Sequence, residues 1–288
     1  MFAINRTTIR EHYSDENRIH DLKTDPEHLE FMNECEGFLE KNTFMPVTFD
    51  VGNCQDIYFS EYSYSDFSTG FWVRSLSGEF NSRYLMDLDK TSKTDYQIPF
   101  KEKYELTDAH ADEKGDKTIV FLCGTNLFDS VSWELVDRVM YLDEKALIKP
   151  HPLTNDEGLK NLGNRYGWHR ILGPKDSGYF WYNKAKNVYS TANSELMVRS
   201  ILDNKFIDCF TKIDRMHKAS YFPFFTMKVA GYTSSEIKSV ILNESSGFVF
   251  SDQSDWQDRI MKYLEKSFKF RDQFKPHTPY YPVPIKAA

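Results

Sequence analysis

The sequence predicts an α/β protein whose second half, from about Lys117 onward, is a doubly wound and largely parallel sheet. Three observations carry this. An apolar run, Thr118–Cys123, has the length of a strand and stops at Gly124, the pattern of a strand buried on both faces. From there to Phe210, strand-like and helix-like segments alternate, which is the mark of successive βαβ units. Two of those strands run straight into turns rich in hydrogen-bond donors.

Each element follows from its own spacing. After the Thr118–Cys123 strand, Ser130 opens a helical pattern through Trp133, Val136, Val139 and Met140. Ala146–Ile148 is the next strand, and Trp168–Leu172 is expected as a third. Asp176 or Ser177 starts a short helix through Trp181, and Asn187–Tyr189 is a strand. Asn193 or Ser194 starts a helix through Met197 and Ile201, and Phe206–Phe210 is a strand. A last helix is expected at about Gln253–Phe268, before a proline-rich end that cannot continue it. The first half reads as a smaller α/β domain, with a helix at Pro26–Leu39 and strands at Phe2–Ile4, Val47–Val51 and Ile57–Tyr62. The polar stretch Lys90–Lys117 is expected as a hinge between two domains, 1–112 and 113–288.

Composition removes several classes. A hydrophobic share of 40% and 16% aromatics over 288 residues can build a real core. The longest apolar runs fall well short of the roughly 20 residues that span a bilayer. The opening Met1–Arg10 has neither an extended apolar region nor a small-residue cleavage site, so a cytoplasmic protein is expected. Cys35, Cys54, Cys123 and Cys209 show no metal-ligand spacing and are expected as reduced structural thiols. The net charge of −7 argues against an unselective grip on nucleic acid. No GxGxxG or GxxxxGK[ST] pattern occurs, which weighs against dehydrogenases and kinases. Asp87–Asp89 has the letters of a metal-binding DxD in a polar segment rather than at a strand end, so no metal is expected.

Two segments carry chemistry. In Ile148–Pro152, which reads IKPHP, a buried strand runs into a loop that two prolines stop. Ligands of open α/β sheets lie beyond the carboxyl ends of strands, which places Lys149 and His151 where a phosphate could sit. The plainer alternative is a rigid strand exit with a surface lysine. In Tyr189–Glu195, which reads YSTANSE, Ser190, Thr191 and Ser194 fall at a helix N-terminus, where backbone N–H groups attract anions. Its plainer alternative is simple capping by Asn193 or Ser194. Gly124, Thr125 and Asn126, the turn after the first strand of this domain, add a third contact.

A Lys-Pro-His-Pro element followed by a Ser/Thr-rich turn into a helix with an acidic residue resembles the GT-B-type glycosyltransferases of surface polysaccharides. These include sialyltransferase-like, Kdo-transferase-like and polymer glycerophosphotransferase-like enzymes. The resemblance covers about Thr118–Asp208 and implies a GT-B-like fold of two Rossmann-like domains, the N-terminal one smaller and on the acceptor side. It implies that His151, Ser190, Thr191 and Ser194 hold the donor's phosphates and that Glu195 reaches the nucleotide or sugar. The nucleotide sugar is then a co-substrate, and no separate cofactor is expected.

Inverting transfer needs a base, which such an arrangement takes from the first half. Asp50, at a strand end, is the first choice and Glu61 the second. The size, the Tyr and Phe richness and the opening Met1–Arg10 are similar to the small DNA-modifying glucosyltransferases of T-even-type phages. That similarity implies glucose transfer from UDP-glucose to a sugar on hydroxymethylcytosine in phage DNA, with Arg6, Arg10, Arg74 and Arg83 along the DNA backbone. The alternatives are a surface polysaccharide acceptor and a non-catalytic nucleotide-binding module.

Overall fold

The computed structural model describes residues 26–43, 47–49, 57–61, 70–76, 78–89, 115–176, 178–212, 215, 219 and 221–273. In chain order the first elements are α1 (Pro26–Asn42), β1 (Val47–Phe49), β2 (Ile57–Glu61), β3 (Gly70–Arg74) and α2 (Gly78–Asp89). Then come β4 (Lys117–Phe121), α3 (Trp133–Leu142), β5 (Leu147–Lys149), α4 (Asp156–Tyr166), α5 (Gly178–Asn183) and β6 (Ala185–Ser190). The last are α6 (Glu195–Leu202), β7 (Phe206–Cys209), α7 (Phe222–Val229), α8 (Ser234–Leu242), β8 (Phe248–Phe250) and α9 (Trp256–Asp272). They divide into two compact units: one holds the described residues up to 89 together with 235–273, the other holds 115–234.

The 115–234 unit is the parallel α/β body that the alternation predicts. Its four strands run in the order β5-β4-β6-β7, and every pairing is parallel. Ile119, Val120 and Phe121 are buried in succession; since neighbouring strand residues face opposite ways, β4 is covered on both faces. Helix α3 turns Val136 and Met140, one helical turn apart, into the core beside Val120 and Ile148. Helix α6 does the same with Met197, Val198 and Ile201.

The strand expected at Trp168–Leu172 is a 3-10 turn, Trp168–Arg170, with one bridge from Ile171 to Ile148. Gly167, at φ 86°, breaks the approach to it. Arg170 then donates to the carbonyls of Met140 (2.9 Å), Asp143 (2.7 Å) and Ala146 (2.9 Å). Satisfying the end of α3 fixes this segment as a loop rather than a ladder.

The other unit departs from expectation. Its sheet runs β1-β2-β3-β8, with β1 and β2 parallel but β3 antiparallel to both β2 and β8. The described residues therefore form a mixed sheet and not a Rossmann-like one. β3 turns back antiparallel to β2 across positions 62–69, whereas β1 and β2 pair in parallel across the still shorter 50–56. The expected second domain, 113–288, also loses residues 235–273, because β8 completes the first sheet. Trp72 stacks on Phe248 at 4.8 Å, and the Ser75 amide donates to Tyr263 Oη at 2.8 Å. Gly247, at φ 87°, lets the chain pass β3: a Cβ there would lie 2.2 Å from the Val73 carbonyl oxygen.

The expected strand Phe2–Ile4 lies outside the described residues, as does the expected hinge apart from 115–117. Cys35, Cys123 and Cys209 are buried free thiols. Among the described residues, no helix is long and apolar enough to cross a membrane.

Candidate phosphate-binding site

Strand order locates the site. From β4 the chain crosses through α3 to β5 on one side, then returns through α4 and α5 to β6 on the other side of β4. The order reverses between β4 and β6, and ligands of such sheets bind beyond the carboxyl ends of the strands at this switch point. Three turns border it: 122–126 after β4, 191–194 after β6, and 150–154 after β5.

At the β5 exit the two cations of the IKPHP segment have different fates. Lys149 is buried, and its Nζ donates to the carbonyls of Pro150 (2.7 Å) and Pro174 (3.1 Å). Burial lowers its ammonium pKa to about 8, against the upward pull of Asp176. His151 is only partly buried. Its Nδ1 accepts the Leu153 amide at 3.1 Å, which assigns the proton of the neutral ring to Nε2. The His151 carbonyl accepts the Thr154 amide at 2.9 Å. Thr154, which the sequence reading passed over, buries a hydroxyl with no hydrogen-bond partner.

The β4 exit is built around Gly124. A Cβ there would lie 2.7 Å from Asn126 Oδ1 and 3.7 Å from His151 Nδ1, so this turn and the imidazole are neighbours. Thr125 faces the other way. Its Oγ1 accepts the Asn155 amide at 2.9 Å, and Asn155 Oδ1 caps α4 by accepting the Gly158 amide at 2.8 Å. Thr125 thus seats α4, while Asn126 is exposed.

At the β6 exit the hydroxyls sit deeper than the sequence implies. Ser190 and Thr191 are fully buried, and Ser190 Oγ donates to the Thr191 carbonyl at 3.2 Å. A ligand outside the strand ends therefore meets the backbone of this turn and not these two hydroxyls. Thr191 Oγ1 meets no strong hydrogen-bond partner, and the group it interacts with is the Cys123 thiol, whose pKa it lowers as a weak hydrogen-bonding neighbour. Burial pushes that thiol up to about 12, so it stays protonated and is not a nucleophile. Thr211, after β7, fixes the turn by accepting the Ala192 amide at 2.8 Å. The same strand-exit rule that found the other turns would have pointed to it. Ser194 occupies the cap position of α6 with extended backbone, yet its side chain makes no capping bond. Glu195 follows, buried in the first turn.

The acceptor-side expectations fare unevenly. Asp50, Arg6 and Arg10 lie outside the described residues. Glu61 ends β2, in register with Phe71. Arg74 is corrected: it is 2% exposed on β3, with its guanidinium 4.7 Å above the Trp72 ring, so it lines no open groove. Arg83 is exposed on α2. Asp87 lies exposed on the same helix. No group of three or more His, Cys, Asp or Glu side chains among the described residues has metal-holding geometry. Comparison with protein-family models and with curated proteins gives no match, so strand order and side-chain geometry carry the functional reading.

Proposed function

We propose that the 115–234 unit binds the diphosphate of a nucleotide sugar and that the chain is a nucleotide-sugar-dependent glycosyltransferase with UDP-glucose as donor. One observation carries the reading. At the switch point of a four-stranded parallel sheet, α6 begins with a cap residue whose side chain makes no capping bond. At the same sheet edge α3 likewise starts without a side-chain cap, at Ser132, whereas α4 is capped by Asn155. Helix α6 is the uncapped helix that follows the switch-point strand β6 directly. First-turn amides without a side-chain cap, at a switch point of this kind, favour an anion. His151, with a donor at Nε2, and the Gly124 turn beside it complete the phosphate contacts. Positive dipole ends and a positioned donor stabilise the charge that develops on a departing diphosphate, which is the main demand of sugar transfer. In this reading the base for the acceptor hydroxyl comes from Asp50 or Glu61.

For the acceptor we propose a sugar on hydroxymethylcytosine in DNA, on the strength of the chain-wide resemblance and of Arg83. The burial of Arg74 favours the second reading, an oligosaccharide acceptor, because it withdraws one of the four proposed phosphate contacts.

Two measurements test these readings. A ligand that binds only the folded state adds roughly 2.7 kcal/mol of stability at a hundred times its dissociation constant. UDP-glucose is therefore expected to raise the unfolding temperature by several degrees, and no rise with it, with UDP or with other nucleotide sugars would reject the donor site. Labelled glucose is then offered to glucosylated hydroxymethylcytosine DNA, unmodified DNA and an oligosaccharide. Label in the oligosaccharide alone promotes the second reading; binding with no transfer at all leaves a nucleotide-binding module.

A further inference from the structure

Lys149 and His151 stand two residues apart at one strand exit, yet only the lysine is buried. Two of its three donors are used on carbonyls that both belong to prolines, Pro150 and Pro174. The proline partner matters. The pyrrolidine ring already fixes φ, so ψ is the remaining backbone freedom of such a residue, and ψ decides where its carbonyl points. By holding the Pro150 carbonyl, the ammonium fixes the peptide plane that enters His151.

The plane that leaves His151 is fixed independently, by the Thr154 amide donating to the His151 carbonyl at 2.9 Å. Pro152 further confines His151 to extended backbone. The ring itself is set by the Leu153 amide on Nδ1. Every one of these constraints except the entering plane comes from residues 152–154. The entering plane depends on Lys149, and through Pro174 on the loop that follows the Ile171 bridge. Asp176, in that loop, offsets the buried charge.

We infer that Lys149 is a positioning residue: its buried ammonium clamps the Pro150–His151 peptide, and so the imidazole, without touching the diphosphate itself. The inference rests on reading this edge as a diphosphate site, but half of its test does not.

The test uses the full chain as Lys149→Met, Lys149→Gln, His151→Ala and the double variant Lys149→Met/His151→Ala. The first readout, without ligand, is exchange of the Leu153 amide against the core amides of Val120 and Ile148. A positioning role predicts that Lys149→Met speeds Leu153 exchange by about tenfold or more while the core amides hold. Lys149→Gln, which keeps an uncharged donor, restores part of that protection, and it replaces the methionine variant if the latter does not fold. The second readout is UDP affinity by calorimetry. Lys149→Met and His151→Ala are each expected to weaken it roughly tenfold or more, with little further loss in the double variant. Unchanged Leu153 exchange, or losses that add in the double variant, would overturn the inference and make Lys149 an independent ligand. If the parent chain does not bind UDP, the diphosphate reading fails and Leu153 exchange alone decides the role of Lys149.

Discussion

The two edges of the parallel sheet differ in how completely they use their polar groups. At the amino edge, charges are consumed by structure. Arg170 holds three carbonyls, and Lys205 Nζ donates to the carbonyls of Tyr182 (2.7 Å) and Ala185 (2.9 Å). Asp203 accepts both the Tyr182 hydroxyl and Arg199 Nε at 2.6 Å. At the carboxyl edge, the Thr154 hydroxyl is buried without a partner, Thr191 has only the weakly bonding Cys123 thiol beside it, and Ser194 leaves α6 without a side-chain cap. An unpartnered buried polar group costs about 1–3 kcal/mol, so such a group calls for an explanation. On the proposed reading, the amino edge is organised for stability and the carboxyl edge is the one that takes a ligand.

The largest effect that would sharpen this contrast lies at the amino edge. Arg170→Ala is expected to lower folding stability by about 2–4 kcal/mol, since it removes charge-assisted bonds to three carbonyls. UDP-glucose affinity of the folded protein should stay as it was. Urea unfolding beside calorimetry separates the two, and a variant that folds as the parent but loses nucleotide would reverse the roles of the edges. His151→Ala is the mirror experiment, expected to weaken UDP-glucose binding by about 1.5–3 kcal/mol while unfolding stability moves by less than about 1 kcal/mol.

A smaller effect comes from Thr191→Val. Removing a buried hydroxyl whose partner is the weakly bonding Cys123 thiol should stabilise the free protein slightly, by less than about 1 kcal/mol. Destabilisation in the same urea series would mean that the hydroxyl is strongly bonded and that the edges differ less than they appear to. The smallest effect concerns acid. A hydrogen bond from Thr118, helped by the Lys145 amide, holds the Asp143 carboxyl below its usual range despite burial. A depressed folded-state pKa stabilises above the unfolded value of about 3.9, and that contribution disappears as pH falls through the folded value. Asp143→Asn should therefore lower stability slightly across the neutral region, flatten the acid limb of stability against pH, and leave the parent and the variant alike at pH values below the folded one, as urea unfolding across pH would show.

Much of the parallel unit was legible because its signals are local. Thr118–Cys123 could only be a strand with both faces covered, and the prolines of IKPHP mark its neighbour's exit within five letters. The depth of each side chain was not legible. Lys149 reads as a surface cation until the loop carrying Pro174 folds over it. Ser190 and Thr191 read as phosphate ligands until β7 packs alongside, where the Phe210 amide bonds the Ser190 carbonyl. The first unit was read least well for the same reason. Phe248–Phe250 is a three-residue strand whose partner, β3, lies far back in the chain, and no local period connects the two.

The central claim, that the carboxyl edge at the β4–β6 switch point binds a diphosphate, is tested most directly by an amide chemical-shift titration with UDP. The account predicts that Gly124–Asn126, His151 and Ser194–Leu196 move together with one dissociation constant, while Arg170 and Lys205 do not shift. Shifts confined to the amino edge, or no shifts at all at saturating UDP, would contradict it.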